Sequence, residues 1–407
     1  MISVEELYSL YKKCSGITTD SRQIKEGVMF FALRGEKFDG NDFAEEALKA
    51  GARYAVVDRF LLEGTSYKGR KCIVVENTLD MLQRLAAYHR MQFDIPVLGI
   101  TGTNGKTTTK ELVAAVLSKK FEIVATQANF NNHIGVPLTL FRLDEHTELA
   151  VVEMGASAPG EIADLTKVVQ PTCGLITTVG KAHLLGFGSY EGVKHAKGLL
   201  YDYLKEHDGV VFANADDPVL QEMLAQRGLE AIGYSREDVK VKANPFLKLE
   251  WKDAKLQTKL VGAYNAANVL AALKLAWYFD VPREDALQAI AAYVPSNNRS
   301  QLVKTGKNTL IVDAYNANPS SMAVALDNLA LIKGPKVALL GDMRELGADS
   351  AAEHRRIVDL LKSVLHDGQG SAYLVGEEFA RAAAGEPYKT FATSEDLAKY
   401  LKEHPLV

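Results

Sequence analysis

Cysteine is scarce in this chain. There are three among 407 residues, Cys14, Cys72 and Cys173, far apart and without metal-ligand spacing. That excludes a disulfide framework and a cysteine-bound metal site, and it fits a reducing compartment. A basic excess is also missing: the formal net charge of −4 excludes a general nucleic-acid binder, which carries surplus Lys and Arg. No run approaches the ~18 consecutive apolar residues of a membrane span. The N-terminus, MISVEELYSLYKK, is too polar for a signal peptide. Short-period repeats and low-complexity stretches are absent too. The expectation is a cytoplasmic protein that works as a monomer, with no nucleic-acid partner and no membrane insertion.

What is present is an ordinary globular composition, 47% hydrophobic and 24% charged, enough for a sizeable core. At about 150 residues per domain the length suggests roughly three domains. Residues 1–92 read as a small α/β unit: strands at "GVMFFAL" (27–33), "YAVV" (54–57) and "KCIVVEN" (71–77), and a helix at "NDFAEEALKAGA" (41–52) closed by Gly51. In "TLDMLQRLAAYHRMQF" the stripe Leu79, Leu82, Leu85, Ala86 marks a helix bridging to the next unit. Over 93–299 the strands "VLGIT", "EIVAT", "LAVVEMG", "CGLITTV" and "GVVFAN" alternate with helix-length segments, which predicts βαβ crossovers and a mostly parallel sheet. The alternation restarts over 300–407 with "TLIVDAY", "VALLGDM" and "AYLVGEE". The fold class expected is therefore α/β throughout.

One segment carries chemistry on its own. "GITGTNGKTTTKE" (99–111) follows an apolar strand with glycines, a lysine and threonines, residues that helix stability alone would not select. A strand, a glycine-rich turn and Lys-Thr opening a helix form a phosphate cradle. Loop amides face the anion, the lysine reaches the outer phosphates, and the next hydroxyl ligates Mg²⁺. The usual spacing G-x-x-x-x-G-K-[ST] is met except that Ile100 stands where the first glycine belongs.

The form T-G-T-N-G-K-T-T resembles the loop of the Mur ligases and folylpolyglutamate ligases, ATP-dependent amide-forming enzymes. "ANFNNHIGVPLTL" (128–140), "HLLGFGSYEGVKHAKG" (183–198), "VDAYNANPSSM" (312–322) and "LLGDMRELG" (339–347) resemble the branch of the Mur ligase family that adds D-alanyl-D-alanine to UDP-N-acetylmuramoyl-tripeptide. "TTDSR" (18–22) and "FFALRGEKFDGNDF" (30–43) are similar to that branch's UDP-sugar domain. The resemblance implies three domains: a UDP-binding unit, a central P-loop ATPase unit, and a C-terminal Rossmann-like unit. The last is expected to lack its final strand, because the chain stops at "EHPLV". Tyr264 and Asn41 stand where the family often has histidine.

The implied reaction activates a carboxylate with ATP as an acyl phosphate, which an amine then attacks. Two like unit charges at 4 Å repel by about 4 kcal/mol at an effective dielectric of ~20, so cations must separate the reactants. Gly102, Thr103, Asn104, Gly105, Lys106, Thr107 and Thr108 are expected at the ATP phosphates. By resemblance Thr107, Glu153, His183 and Lys197 surround two Mg²⁺ ions, and oxygen ligation suits that ion. From pattern alone Glu153 is a strand-end acid, His183 a loop histidine and Lys197 a surface lysine. A carbamylated Lys197 rests on the resemblance only.

Asn265 and Asn268, at i, i+3, share a helix face and suit an adenine edge, or else cap their helix. Arg299 lies in the linker and reaches the γ-phosphate if the domains close. Asp313 resembles a nucleotide-contacting aspartate. Tyr315, Asn316 and Asn318 are expected on the acceptor side of the cleft, with Asn129, Asn131 and Asn132 opposite; the latter three also read as a polar turn. Ser21 and Arg22 offer donors to the UDP moiety or form an Asx-type turn. Asp342 and Arg344 are available to a zwitterionic dipeptide, and His354 has no assigned role. A sister ligase and a non-catalytic relative are the alternatives; a GTPase is disfavoured because "NADD" (214–217) lacks the lysine of the guanine motif.

Overall fold

Strand Val97–Thr101 is buried at every position and lies inside a six-stranded parallel sheet. Its neighbours are Cys173–Ile176 and Leu149–Glu153. Val210–Asn214 and Ile232–Tyr234 extend the sheet on one side, Ile123–Ala125 on the other. The strands read as continuous apolar runs because helices cover both faces. Leu98 and Ile100 enter the core beneath helices Lys106–Leu117, Asn265–Tyr278 and Arg283–Ala292. Val97, Ala150 and Val152 enter the core beneath Glu161–Val169, Tyr190–Glu206 and Pro218–Arg227. Each fully buried Leu or Ile contributes about 2 kcal/mol. The chain is seen here as a computed structural model that describes residues 2–59, 71–296, 298–365 and 370–406.

One element departs from the expected alternation. Lys240–Ala243, Phe246–Glu250 and Lys255–Val261 form a three-stranded antiparallel sheet. "KLQTKLV" alternates polar and apolar residues, and its exposure alternates with it, as a sheet covered on one face requires.

A four-stranded parallel sheet precedes the central one, in the order Ile17–Thr18, Met29–Phe31, Tyr54–Val57, Cys72–Val74. Helix Thr78–Arg90 leads from it to the centre. Its last residue is a buried arginine whose hydrogen bonds go to carbonyls: Arg90 donates Nε to Val169 O (3.2 Å), Nη1 to Phe93 O (2.7 Å) and Nη2 to Ile95 O and Gln170 O (3.4 and 3.3 Å). A guanidinium suits this place because its fixed fork reaches several carbonyls at once. Asn41 is also buried and donates to Asp39 and Asp58 while accepting the Asp58 amide, so it organises the first unit's interior.

In the third unit, Lys336–Gly341, Gly370–Val375 and Lys389–Phe391 make a parallel sheet flanked by helices. Thr309–Val312 does form a strand, but it pairs antiparallel with Gln301–Lys304 rather than joining that sheet. The intervening Thr305–Asn308 turn, closed by Thr305 N to Asn308 O at 2.8 Å, sets the hairpin.

Candidate active site

The strand Val97–Thr101 delivers the glycine-rich loop to the sheet's carboxyl edge, where parallel α/β sheets bind ligands. Gly102 has φ +140°, and a Cβ there would lie 2.1 Å from Thr177 Oγ1. Gly105 has φ +85° and caps helix Lys106–Leu117. Both positions need glycine. Lys106 Nζ curls over the loop and donates to Gly102 O (2.7 Å) and Thr103 O (3.0 Å). Burial lowers the Lys106 pKa and Arg299 adds to that, while Glu153 opposes it.

The neighbouring strand Leu149–Glu153 ends at the carboxylate. Glu153 is fully buried; Oε1 accepts from Thr107 Oγ1 (3.1 Å) and from Asn131 Nδ2 (2.8 Å). Its Oε2 is buried with no partner. A buried carboxylate oxygen without a donor is costly unless a cation faces it. Thr107 hydroxyl and Glu153 are hard oxygen donors, which fits Mg²⁺, an ion that takes one or two carboxylates and otherwise water and phosphate oxygens. Among the described residues no cluster of three or more His, Cys, Asp or Glu forms a complete metal shell.

The loop, Glu153 and the third unit enclose one cavity of about 880 Å³. Thr103, Asn104, Gly105, Lys106 and Thr108 line it; Gly102 and Thr107 do not, but they hydrogen-bond to the lining residues Lys106 and Glu153. Asn265 and Asn268 line it as well, with their amides already engaged. Asn265 Nδ2 donates to Val261 O (2.8 Å), and Asn268 Nδ2 donates to Asn265 Oδ1 (2.9 Å). Thr109 Oγ1 donates to Asn268 Oδ1 (3.1 Å), so the pair also ties its helix to the loop's helix.

Across the cavity Arg299 stacks on Tyr315, with Cζ 3.9 Å from the ring centroid, and its buried Nε has no partner. Asp313 accepts from Ser300 Oγ (3.1 Å), and Ser300 in turn pairs with Tyr264. Burial raises the Asp313 pKa against the opposing pull of Ser300 and Arg299. Asn298 and Ser300, flanking Arg299, hold left-handed φ of 56° and 48°. Asn316 lines the cavity too. Asn318 caps helix Pro319–Ala330 by accepting Ser321 N (2.8 Å) and exchanges amide hydrogen bonds with Asn104, at 2.9 and 3.4 Å.

Besides Gly102 and Thr107, the expected residues Ser21, Arg22, Asn129 and Lys197 stay outside the cavity's lining. Ser21 and Arg22 sit on an exposed turn in which Arg22 donates to Asp20 at 2.9 Å. Asn129 remains on an exposed turn, whereas Asn131 and Asn132 reach the cavity. Asn132 Oδ1 accepts Ile134 N and Gly135 N, so that side chain shapes the turn into helix Gly135–Leu140. His183 faces the cavity, but its Nδ1 is paired with Glu345 of the third unit. Asp342 is a structural cap instead of a free ligand group: it accepts Glu378 N (3.0 Å) and Phe379 N (2.9 Å). His354 is fully buried, accepting Met343 N (3.0 Å) at Nε2.

Lys197 is not a surface lysine. It is 2% exposed, sits over the Phe187 ring, and donates Nζ to Ala156 O at 3.3 Å. Burial, helped by the nearby Lys106 charge and opposed by Glu161, lowers its pKa to about 7. Sequence reasoning missed the hydroxyls that set the loop. Thr126 Oγ1 accepts Glu153 N (2.9 Å), Thr177 Oγ1 donates to Asn104 O (2.6 Å), and Thr178 Oγ1 accepts Asn104 N (3.1 Å). Each follows the end of an apolar strand, the signal that also marks Thr101.

The sheet edge, its glycine loop and the unpartnered Glu153 oxygen define a phosphate-loop α/β protein whose cavity is shared by two units. Comparisons narrow the class. The model described as "Mur ligase family, catalytic domain" matches residues 13–90, "Mur ligase middle domain" matches 100–276, and "Mur ligase, glutamate ligase domain" matches 298–404. The UDP-N-acetylmuramoyl-tripeptide--D-alanyl-D-alanine ligase of Bacillus subtilis is 36% identical over 82% of this chain and 74% of that protein. The protein of that name from Synechocystis is 36% identical over 96% of this chain and 86% of its own length. Among solved structures, MurF from Acinetobacter baumannii superposes with a TM-score of 0.86 at 29% identity, covering 99% of this chain and 93% of that one. The MurF ligase of Thermotoga maritima in complex with ADP gives 0.81 at 27% identity, covering 96% and 90%. This chain belongs to the Mur ligase family.

Proposed function

We infer that this chain is an ATP-dependent ligase that joins D-alanyl-D-alanine to UDP-N-acetylmuramoyl-tripeptide, an amide-forming step in peptidoglycan precursor synthesis. The observation that carries this reading is a phosphate loop and a buried, half-satisfied carboxylate opening on the same cavity as the third unit's Tyr315–Asn318 loop. The tripeptide's terminal carboxylate attacks the γ-phosphorus, and the P–O bond to ADP breaks. The dipeptide amine then attacks the acyl carbon; phosphate leaves and the amine loses a proton.

The chain's own groups act by placement and charge. Loop amides and Lys106 hold the outer phosphates. Arg299, on the linker, faces them from the opposite wall. Thr107 and Glu153 are the residues that would hold Mg²⁺, which when bound offsets phosphate charge; His183 and Lys197 are proposed at a second ion. We assign UDP binding to residues 1–92, ATP to 93–299 and the dipeptide to 300–407. Ser21 and Arg22 serve the UDP moiety, with Asn131, Asn132, Tyr315 and Asn316 on the peptides.

Within the described residues no helix is long and apolar enough to cross a membrane. We place the protein in the cytoplasm as a monomer, which sedimentation would report as a single 44.5 kDa species.

The test is phosphate release from ATP with Mg²⁺. It is expected only when both UDP-N-acetylmuramoyl-tripeptide and D-Ala-D-Ala are present. Turnover with glutamate and a folate acceptor instead, or none with any acceptor, overturns the reading.

The burial of Lys197 also supports its carbamylation. A lysine lowered to about 7 presents an uncharged amine near neutral pH. That amine adds to CO₂, giving a carbamate and one released proton. Because the ammonium form is unreactive, occupancy rises as pH climbs through this value. Labelled ¹³C-bicarbonate is expected to give a carbamate signal that grows from about pH 6 to about pH 8. It is lost in Lys197→Arg; no signal in the unaltered protein at any pH removes the carbamate.

A further inference from the structure

The segment after strand Cys173–Ile176 touches the phosphate loop and the third unit at once. On the loop side, Thr103 N donates to Thr178 O (2.8 Å) and Gly180 N donates to Thr103 Oγ1 (3.0 Å). Asn104 N donates to Thr178 Oγ1 at 3.1 Å. On the third-unit side, Lys181 N donates to Ser320 Oγ (3.1 Å), and the approach is close enough that a Cβ on Gly180 would lie 2.7 Å from that oxygen.

Beneath this contact lies a buried acid. Glu353, 4% exposed, accepts from Lys181 Nζ at 2.5 Å and from Arg356 Nε at 2.8 Å. Arg356 Nη2 donates onward to Pro319 O (3.2 Å), at the start of the helix that Asn318 caps. A carboxylate taken out of water is tolerable only when cations and donors surround it. Arg356 comes from Glu353's own helix; Lys181 comes from the central unit. The third unit therefore satisfies its buried acid only when it is docked.

We propose that Lys181 is a positioning residue: by pairing with buried Glu353 it fastens the third unit to segment 177–181, and so sets Thr103 and Asn104 of the phosphate loop for the reaction. The Asn104–Asn318 amide exchange is a second fastening between the same bodies. The contact stands on geometry; only its consequence for turnover rests on the ligase reading above.

The side chain of Lys181 is 48% exposed, so Lys181→Met retains the fold of each unit, and an unaltered far-ultraviolet circular dichroism spectrum checks this. Two measurements test the proposal. In turnover with all three substrates, Lys181→Met is expected to lower kcat about ten- to hundredfold with a much smaller change in the KM for ATP, because misplacement of reacting groups costs rate. Lys181→Arg is expected to restore most of it. In solution X-ray scattering, Lys181→Met is expected to show a larger radius of gyration than the unaltered chain. A kcat for Lys181→Met within about twofold of the unaltered protein, or equal losses in the Met and Arg variants, overturns the proposal. If the unaltered chain releases no dipeptide-dependent phosphate, the ligase reading fails and scattering alone judges the latch. Identical profiles for the chain and Lys181→Met then sink it.

Discussion

Lys106→Ala is expected to lower turnover by about a thousandfold while leaving the protein folded. The loss is large because the amine is the only loop side chain that carries a full positive charge to the outer phosphates. It acts in a desolvated place, where charge is worth more than in water. The fold survives for a related reason. Among the described residues Lys106 Nζ donates only to loop carbonyls, and burial and the Arg299 charge outweigh the pull of Glu153 on its charged form, so removing it relieves a desolvated cation. A melting temperature within a few degrees of the parent, about 1 kcal/mol or less for a chain of this size, is the matching control. Phosphate release within about tenfold of the parent at saturating substrates would remove the loop lysine from the mechanism.

Glu153→Gln comes second in size. The substitution keeps volume and removes charge. An amide oxygen still accepts from Thr107 or Asn131, but an amide nitrogen replaces a carboxylate oxygen and cannot face a cation. The expected result is a loss of about a hundredfold in kcat, with a Mg²⁺ requirement moved to higher concentration. Binding of Mn²⁺ in the presence of ADP, followed by paramagnetic resonance, gives a readout independent of turnover and is expected to weaken by at least about tenfold. Unchanged Mn²⁺ affinity would show that the unpartnered oxygen of Glu153 faces something other than a metal.

The two residues behind these expectations are also the two that a reader of the chain finds first. A lysine after a glycine that needs a left-handed backbone, and an acid that ends an apolar strand, are local signals. The parallel strands were legible for the same reason: buried, they are apolar runs, and "VLGIT" in the central sheet and "YAVV" in the first unit's sheet match their observed strands residue for residue. What stayed hidden depends on distance along the chain. Lys197 sits on an amphipathic helix whose own pattern says surface; Phe187 and the Ala156 turn bury it. Asn318 and Asn104 are 214 positions apart, and no spacing relates them. Asp342 resembled a ligand group because its capping role depends on a helix that begins at Glu377. The antiparallel sheet over 240–261 had a readable two-residue period, but it interrupts an α/β rhythm and was absorbed into it.

Arg90 and the linker at Arg299 make the chain's two joints unlike one another. At the first, one guanidinium at the end of the bridging helix grips four carbonyls of the central unit. At the second, Asn298 and Ser300 carry left-handed backbone at a cost of about 1–2 kcal/mol for the serine. One joint is therefore a weld and the other a cocked spring. Only the spring borders the active-site cavity, through Arg299 and Ser300. An inhibitor lodged there must hold the backbone in its left-handed turn as well as fill the space, which sets its medicinal chemistry apart from filling a relaxed pocket.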